Sequence, residues 1–109
     1  MIGEFEYLLI TVAARLGEEA YGAAIRREVE EATRQNCSIG ALYTTLERLE
    51  KKGLVTTRMG EPTPQRGGRT KRMVRVTAKG IQVAEEFYTA ISRASENASW
   101  AARPARGQP

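Results

Sequence analysis

Apolar residues recur at helical spacing in four separate stretches of this chain, and between the third and the fourth the period breaks. The break consists of two short runs, Leu54 to Met59 and Arg72 to Val76, rich in Val, Thr and Met and without internal Gly or Pro. They flank Gly60 to Lys71, which holds two Pro and three Gly. This order reads as two antiparallel strands joined by a long hairpin loop. A chain of 109 residues has room for one small domain and an added helix.

In the first helical stretch, Phe5, Leu8, Leu9, Val12, Ala13 and Leu16 form one stripe, and Gly17 follows as a stop. Tyr7, Ile10 and Ala14 make a neighbouring apolar face. Two apolar faces need two packing partners, so Tyr7 and Ile10 are expected at a contact between subunits. Tyr21, Ala24, Ile25, Val29 and Ala32 form the second stripe, and Arg34-Gln35-Asn36 reads as a turn. The third begins at Ser38, a good N-cap, and runs through Ile39, Leu42, Tyr43, Leu46 and Leu49 to Gly53, with Leu54 covering the last turn. Its opposite face is expected to carry Ala41, Thr44, Thr45, Arg48 and Lys52. Small residues allow close approach to a duplex, hydroxyls reach base edges or phosphates, and Arg reads guanine.

Thr77 is expected to cap the fourth helix, whose apolar positions are Ile81, Ala84, Phe87, Tyr88, Ile91 and Ala98. Nothing after it in the sequence covers that face, and a second copy of the chain is the simplest cover. Phe87, Tyr88, Ile91 and Trp100 are therefore expected at a homodimer interface. The division expected is residues 1–77 for the main domain, 78–100 for the dimerisation helix and 101–109 for a disordered tail rich in Pro, Gly and Ala.

Charge narrows the function. Lys plus Arg is 17 and the acids number 13, all Glu, for a net +4. Residues 1–57 carry seven basic and nine acidic side chains, 58–80 seven and one, and 81–109 three of each. The positive field thus comes from one segment, densest at Arg66, Arg69, Lys71 and Arg72. Such a cluster suits a phosphate backbone; by itself it equally suits a solvated loop. With no His or Asp and a single Cys, no Ser-His-Asp triad, His-ligated metal site, EF-hand or CxxC knuckle can be built. No enzyme activity, cofactor or metal is expected. No apolar run approaches a membrane span, no secretory leader is evident, and a cytoplasmic protein is expected.

Helix, helix, helix, strand, basic loop, strand, helix is the winged helix-turn-helix order: mainly α with a small two-stranded antiparallel β wing. At this point the residues resemble the PadR family of bacterial transcriptional regulators. The resemblance lies in Leu42-Tyr43, Arg48-Leu49-Glu50 and Gly53-Leu54 of the third helix and its exit, in Tyr21-Gly22, in Gly67-Gly68-Arg69-Thr70-Lys71-Arg72, and in Val76-Thr77-Ala78-Lys79-Gly80. It covers roughly residues 4–98. The chain departs from the family at Thr44, where many relatives carry Pro, and at Met73-Val74, where many carry two aromatics. The length is similar to the short branch, which dimerises through one C-terminal helix.

The resemblance implies a homodimeric repressor on a pseudo-palindromic operator in double-stranded DNA, at the bacterial nucleoid. Ser38, Ala41, Tyr43, Thr44, Thr45, Arg48 and Lys52 from the helix, and Arg66, Arg69, Lys71 and Arg72 from the wing, would contact DNA. It also implies a small aromatic effector at the dimer interface, with Trp100 as a stacking plate. Other readings stand beside these. Arg48 suits an exposed ion pair with Glu47 or Glu50, Tyr43 suits the core, Ser38 suits a cap alone, and the fold also serves protein-interaction adaptors. Cys37 is expected to be inert, since nothing in the sequence marks a lowered pKa.

Overall fold

The computed structural model describes residues 2–60 and 71–101. Arg66 and Arg69, with the rest of the loop from 61 to 70, lie outside the described residues, as does 102–109 of the tail. The chain forms α1 (Glu4–Leu16), a 3-10 turn (Gly17–Glu19), α2 (Gly22–Thr33), α3 (Ile39–Lys51), β1 (Val55–Met59), β2 (Arg72–Val76) and α4 (Ala78–Ala94). The order is the expected one: three helices, a two-stranded antiparallel sheet and a last helix.

α1 is the hub. Leu9 and Ile10 are fully buried, and Val12 and Ala13 nearly so, because α2, α3, β2 and α4 all pack against this one helix. Ile25 and Val29 of α2, Leu42, Leu46 and Leu49 of α3, and Val55 and Val74 of the strands complete the core. Each large aliphatic side chain taken out of water there contributes about 1.5–3 kcal/mol. Ile10 is therefore a core residue and not a subunit contact. α4 of the same chain packs against part of the second apolar face of α1, with the rings of Tyr7 and Phe87 5.0 Å apart, while Ala14 stays exposed.

The helix ends follow local chemistry. Ser38 caps α3 by accepting a hydrogen bond from the Ala41 N–H at 3.0 Å, and Thr77 caps α4 through the Gly80 N–H at 3.0 Å. At the end of α3, Gly53 takes φ +78°, its N–H bonds to the Glu50 carbonyl, and the Leu54 N–H bonds to the Leu49 carbonyl. That is a Schellman closure, with buried Leu54 as its apolar seal.

β1 and β2 pair with Val55 opposite Val76 and Met59 opposite Arg72. Val74 fills the place where an aromatic was the alternative: it is buried, and its N–H bonds to the Ala20 carbonyl at 2.8 Å. A single bridge from Tyr21 to Met73 sets the start of α2 beside β2. α4 ends at Ala94, short of the expected 100. Turns follow, with Asn97 at φ +66°, so Trp100 is not on the helix.

Candidate nucleic-acid interface

α3 carries two kinds of surface. Leu42, Thr45, Leu46 and Leu49 face the core, while Gly40, Ala41, Thr44, Glu47, Arg48 and Lys51 are exposed. Thr45 is 4% exposed and corrects the expectation that it points outward. At 100° per residue it falls beside Leu42 and Leu49, and its methyl group lets it sit there. Ile39, placed on the apolar stripe by its spacing, is instead 56% exposed, because the first helical residue has no neighbouring element above it. The outward line therefore includes Gly40, Lys51 and Ile39, which the sequence reading passed over. Gly40 and Lys51 could have been found by centring the helical wheel on Leu42, Leu46 and Leu49 rather than on the hydroxyls.

The helix is fastened along both flanks by carboxylates. On one flank Glu50 accepts hydrogen bonds from the Thr57 hydroxyl at 3.1 Å and the Thr57 N–H at 3.3 Å, tying α3 to β1. On the other, Glu6 of α1 accepts from the Lys52 ammonium at 3.0 Å and lies 3.6 Å from the Arg48 guanidinium. Arg48 thus pairs with neither Glu47 nor Glu50. The Glu6 side chain is only 8% exposed, while those of Arg48 and Lys52 are about half exposed at 51% and 44%. Burial alone would push the Glu6 carboxyl up. The Gly3 N–H bonded to it at 2.9 Å, Lys52 and Arg48 together outweigh burial and hold it below the usual carboxylate range.

A second cluster gathers at the start of α2. Tyr43 reaches from α3 to Gly22, where any Cβ would collide with its hydroxyl, so only glycine permits this approach. The Arg72 guanidinium stacks over the Tyr43 ring at 5.5 Å, and the Lys71 ammonium lies over the Tyr21 ring at 4.1 Å. The Arg72 Nε is shielded and has no acceptor among the described residues. α2 starts at Gly22 without a side-chain cap, unlike α3. Uncapped first-turn amides, a tyrosine and two cations together form an anion-attracting corner.

Of the residues expected at a dimer contact, Tyr88 (61%), Ile91 (50%) and Trp100 (84%) are exposed. Tyr7 and Phe87 are half-buried and spent largely on each other. An apolar groove of about 560 Å³ runs between α1 and α4, with Tyr7, Ala14, Ile81, Ala84 and Tyr88 in its walls. Cys37 is buried, and burial followed by the nearby Glu30 carboxylate pushes its thiol up, so it is a poor nucleophile. Among the described residues no group of His, Cys, Asp and Glu could hold a metal ion, and no helix is long and apolar enough to cross a membrane.

A profile of the Transcriptional regulator PadR-like family matches residues 9–86. Solved structures are similar as well. A PadR-like transcription factor from Bacteroides fragilis is 25% identical, with 84% of each chain covered and a TM-score of 0.67. RosR of H. salinarum is 25% identical over 93% of this chain and 81% of its own, with a TM-score of 0.64. A PadR-like regulator from Bacillus cereus, at 21% identity, shares the fold over 84% of each chain with a TM-score of 0.68. None of the curated proteins searched matches the chain.

Proposed function

The chain belongs to the PadR-like family of transcriptional regulators, and from that premise we propose that it is a homodimeric repressor reading a pseudo-palindromic DNA site through α3. One observation carries the reading. The outward face of α3 is a line of small, hydroxyl and cationic residues, with Glu47 as its acid, on a helix tied to its neighbours along both flanks. Thr44 and Arg48 face the base edges, Gly40 and Ala41 allow the backbone to come close, and Ile39 is placed to meet a thymine methyl. Lys51 and Lys52 flank them toward phosphate. The Thr45 hydroxyl has no part in this.

The corner formed by the first turn of α2, Tyr43, Lys71 and Arg72 seats a backbone phosphate. Arg66 and Arg69, a few residues before Lys71 in the sequence, add to the positive charge of this segment. Ser38 acts as the cap of α3 and stands where a phosphate is favoured. Two copies joined through Tyr88, Ile91 and Trp100 set half-sites about 10 bp, or a multiple of that, apart. Repression follows from competition with the transcription machinery for the same DNA, in the cytoplasm at the nucleoid. A planar aromatic effector stacked at Trp100 would bear on the dimer directly.

Mobility shifts with duplexes selected from a random pool, run at two salt concentrations, test the proposal. Binding should prefer the selected duplexes and weaken steeply with salt. Binding indifferent to both sequence and salt would sink it.

A further inference from the structure

The contact between Glu6 and the two cations of α3 is not needed for packing. A Leu or Met of similar volume would fill that space, at the cost of the bond from the Gly3 N–H that closes the start of α1. What an apolar residue would lose beyond that local bond is the hold on Arg48 and Lys52. Glu6 is too deeply buried to meet a phosphate itself, whereas half of each cation's side chain stays at the surface.

We propose that Glu6 is a positioning residue for DNA selectivity: by holding Arg48 and Lys52 in one orientation and cancelling part of their charge, it favours a matched groove over any phosphate chain. The inference rests on the DNA-reading function of α3 proposed above. Two effects act in the same direction. The rotamer freedom of two long side chains is given up on folding, before DNA arrives, so a correctly placed base edge or phosphate meets an ordered donor. Meanwhile the carboxylate lowers the counterion release these cations can contribute on an arbitrary duplex, and that release drives non-specific binding. The linkage spans 46 residues of sequence, joining the first turn of α1 to the residue that ends α3.

The test is Glu6→Gln, which keeps the length of the side chain and removes the charge; its single carbonyl oxygen can still accept from the Gly3 N–H, while its NH2 replaces the oxygen that met Lys52. The full chain is titrated with a random-sequence duplex and with a duplex selected by the wild-type protein, over a range of salt. On the random duplex the variant should bind about three- to tenfold more tightly, with a log affinity against log salt slope steeper by about one. The ratio of selected to random affinity should fall about fivefold. In an Arg48→Gln, Lys52→Gln background the same substitution should change neither quantity.

An unchanged slope and ratio in folded Glu6→Gln overturns the proposal. So does a loss of affinity that is equal on both duplexes and persists in the Arg48→Gln, Lys52→Gln background, since that is the mark of a purely structural role. Should Glu6→Gln alone fail to fold, Glu6→Gln with Lys52→Gln replaces it. The ratio is then expected to fall through the released Arg48, and an unchanged ratio overturns the proposal. A wild-type protein with no preference for any duplex removes the parent reading and this one together.

Discussion

α3 and α4 are built on the same helical period and both turn one face inward, yet they offer opposite chemistry outward. α3 exposes Gly40, Ala41, Thr44, Glu47, Arg48 and Lys51, with Ile39 as its apolar exception. α4 exposes Ile81, Tyr88 and Ile91, and Trp100 follows just beyond. α3 is gripped from both sides by carboxylates, whereas α4 past Phe87 projects from the domain with every residue to Ala94 exposed. A polar face on which Arg48 and Lys51 outnumber Glu47 suits a polyanion. An aromatic face with nothing across from it suits a second copy of the same helix. Amphipathic period predicts that a helix packs; the residues left on its other side decide what it meets.

The largest effect is expected on the α4 side. Tyr88→Glu with Ile91→Glu should convert dimer to monomer in sedimentation while thermal unfolding remains cooperative. DNA affinity should then fall by on the order of 100-fold as the half-sites lose their linkage. A variant that stays dimeric would show that the outward face of α4 is not the contact, and the contrast with α3 would lose its meaning. Next comes the joint that holds α3 against α2. Gly22→Ala drives a methyl group into the Tyr43 hydroxyl and should cost about 1–3 kcal/mol in urea unfolding. A change near zero would mean that Tyr43 swings away freely and is not part of a fixed phosphate seat.

Lys51→Ala should reduce the salt slope of DNA binding by about one and weaken selected and random duplexes alike. The buried acid beneath α3 gives a smaller effect, and one that depends on pH. The folded state holds the Glu6 carboxyl below its unfolded value. Its contribution is therefore complete above the unfolded carboxylate range and is lost as pH falls through the folded value. The urea midpoints of wild type and Glu6→Gln should differ at about pH 6 and converge as pH falls through the lowered folded value. A gap that persists in acid would place the stabilisation elsewhere. Least of all should happen at Thr45. Thr45→Val should leave DNA affinity within about twofold, because the residue is 4% exposed and sits with the core face of α3.

Much of the fold was legible because its signals are local. Ser38, Gly53 and Thr77 act within a turn of the backbone groups they satisfy, and the strands were marked by their loss of helical period. The outward face of α3 was legible where it follows the helical period, as with the exposed Ala41, Thr44 and Arg48. Thr45 was misplaced because a threonine offers both a methyl and a hydroxyl, and only its neighbours decide which is used. Ile10 was assigned to a subunit contact because sequence reveals a second apolar face but not which element covers it. The end of α4 was missed since the stop lies in a left-handed Asn97 rather than a Gly or Pro. Glu6 could not be found at all: one glutamate in a first turn is ordinary, and its partners lie in a different helix.

That Glu6 depends on the Gly3 N–H, with Ile2 buried beside it, has a practical consequence. Ile2 shares a pocket wall with Lys52, so an affinity tag joined at this end threatens the cations that Glu6 holds. A cleavable tag at the opposite terminus keeps that corner native.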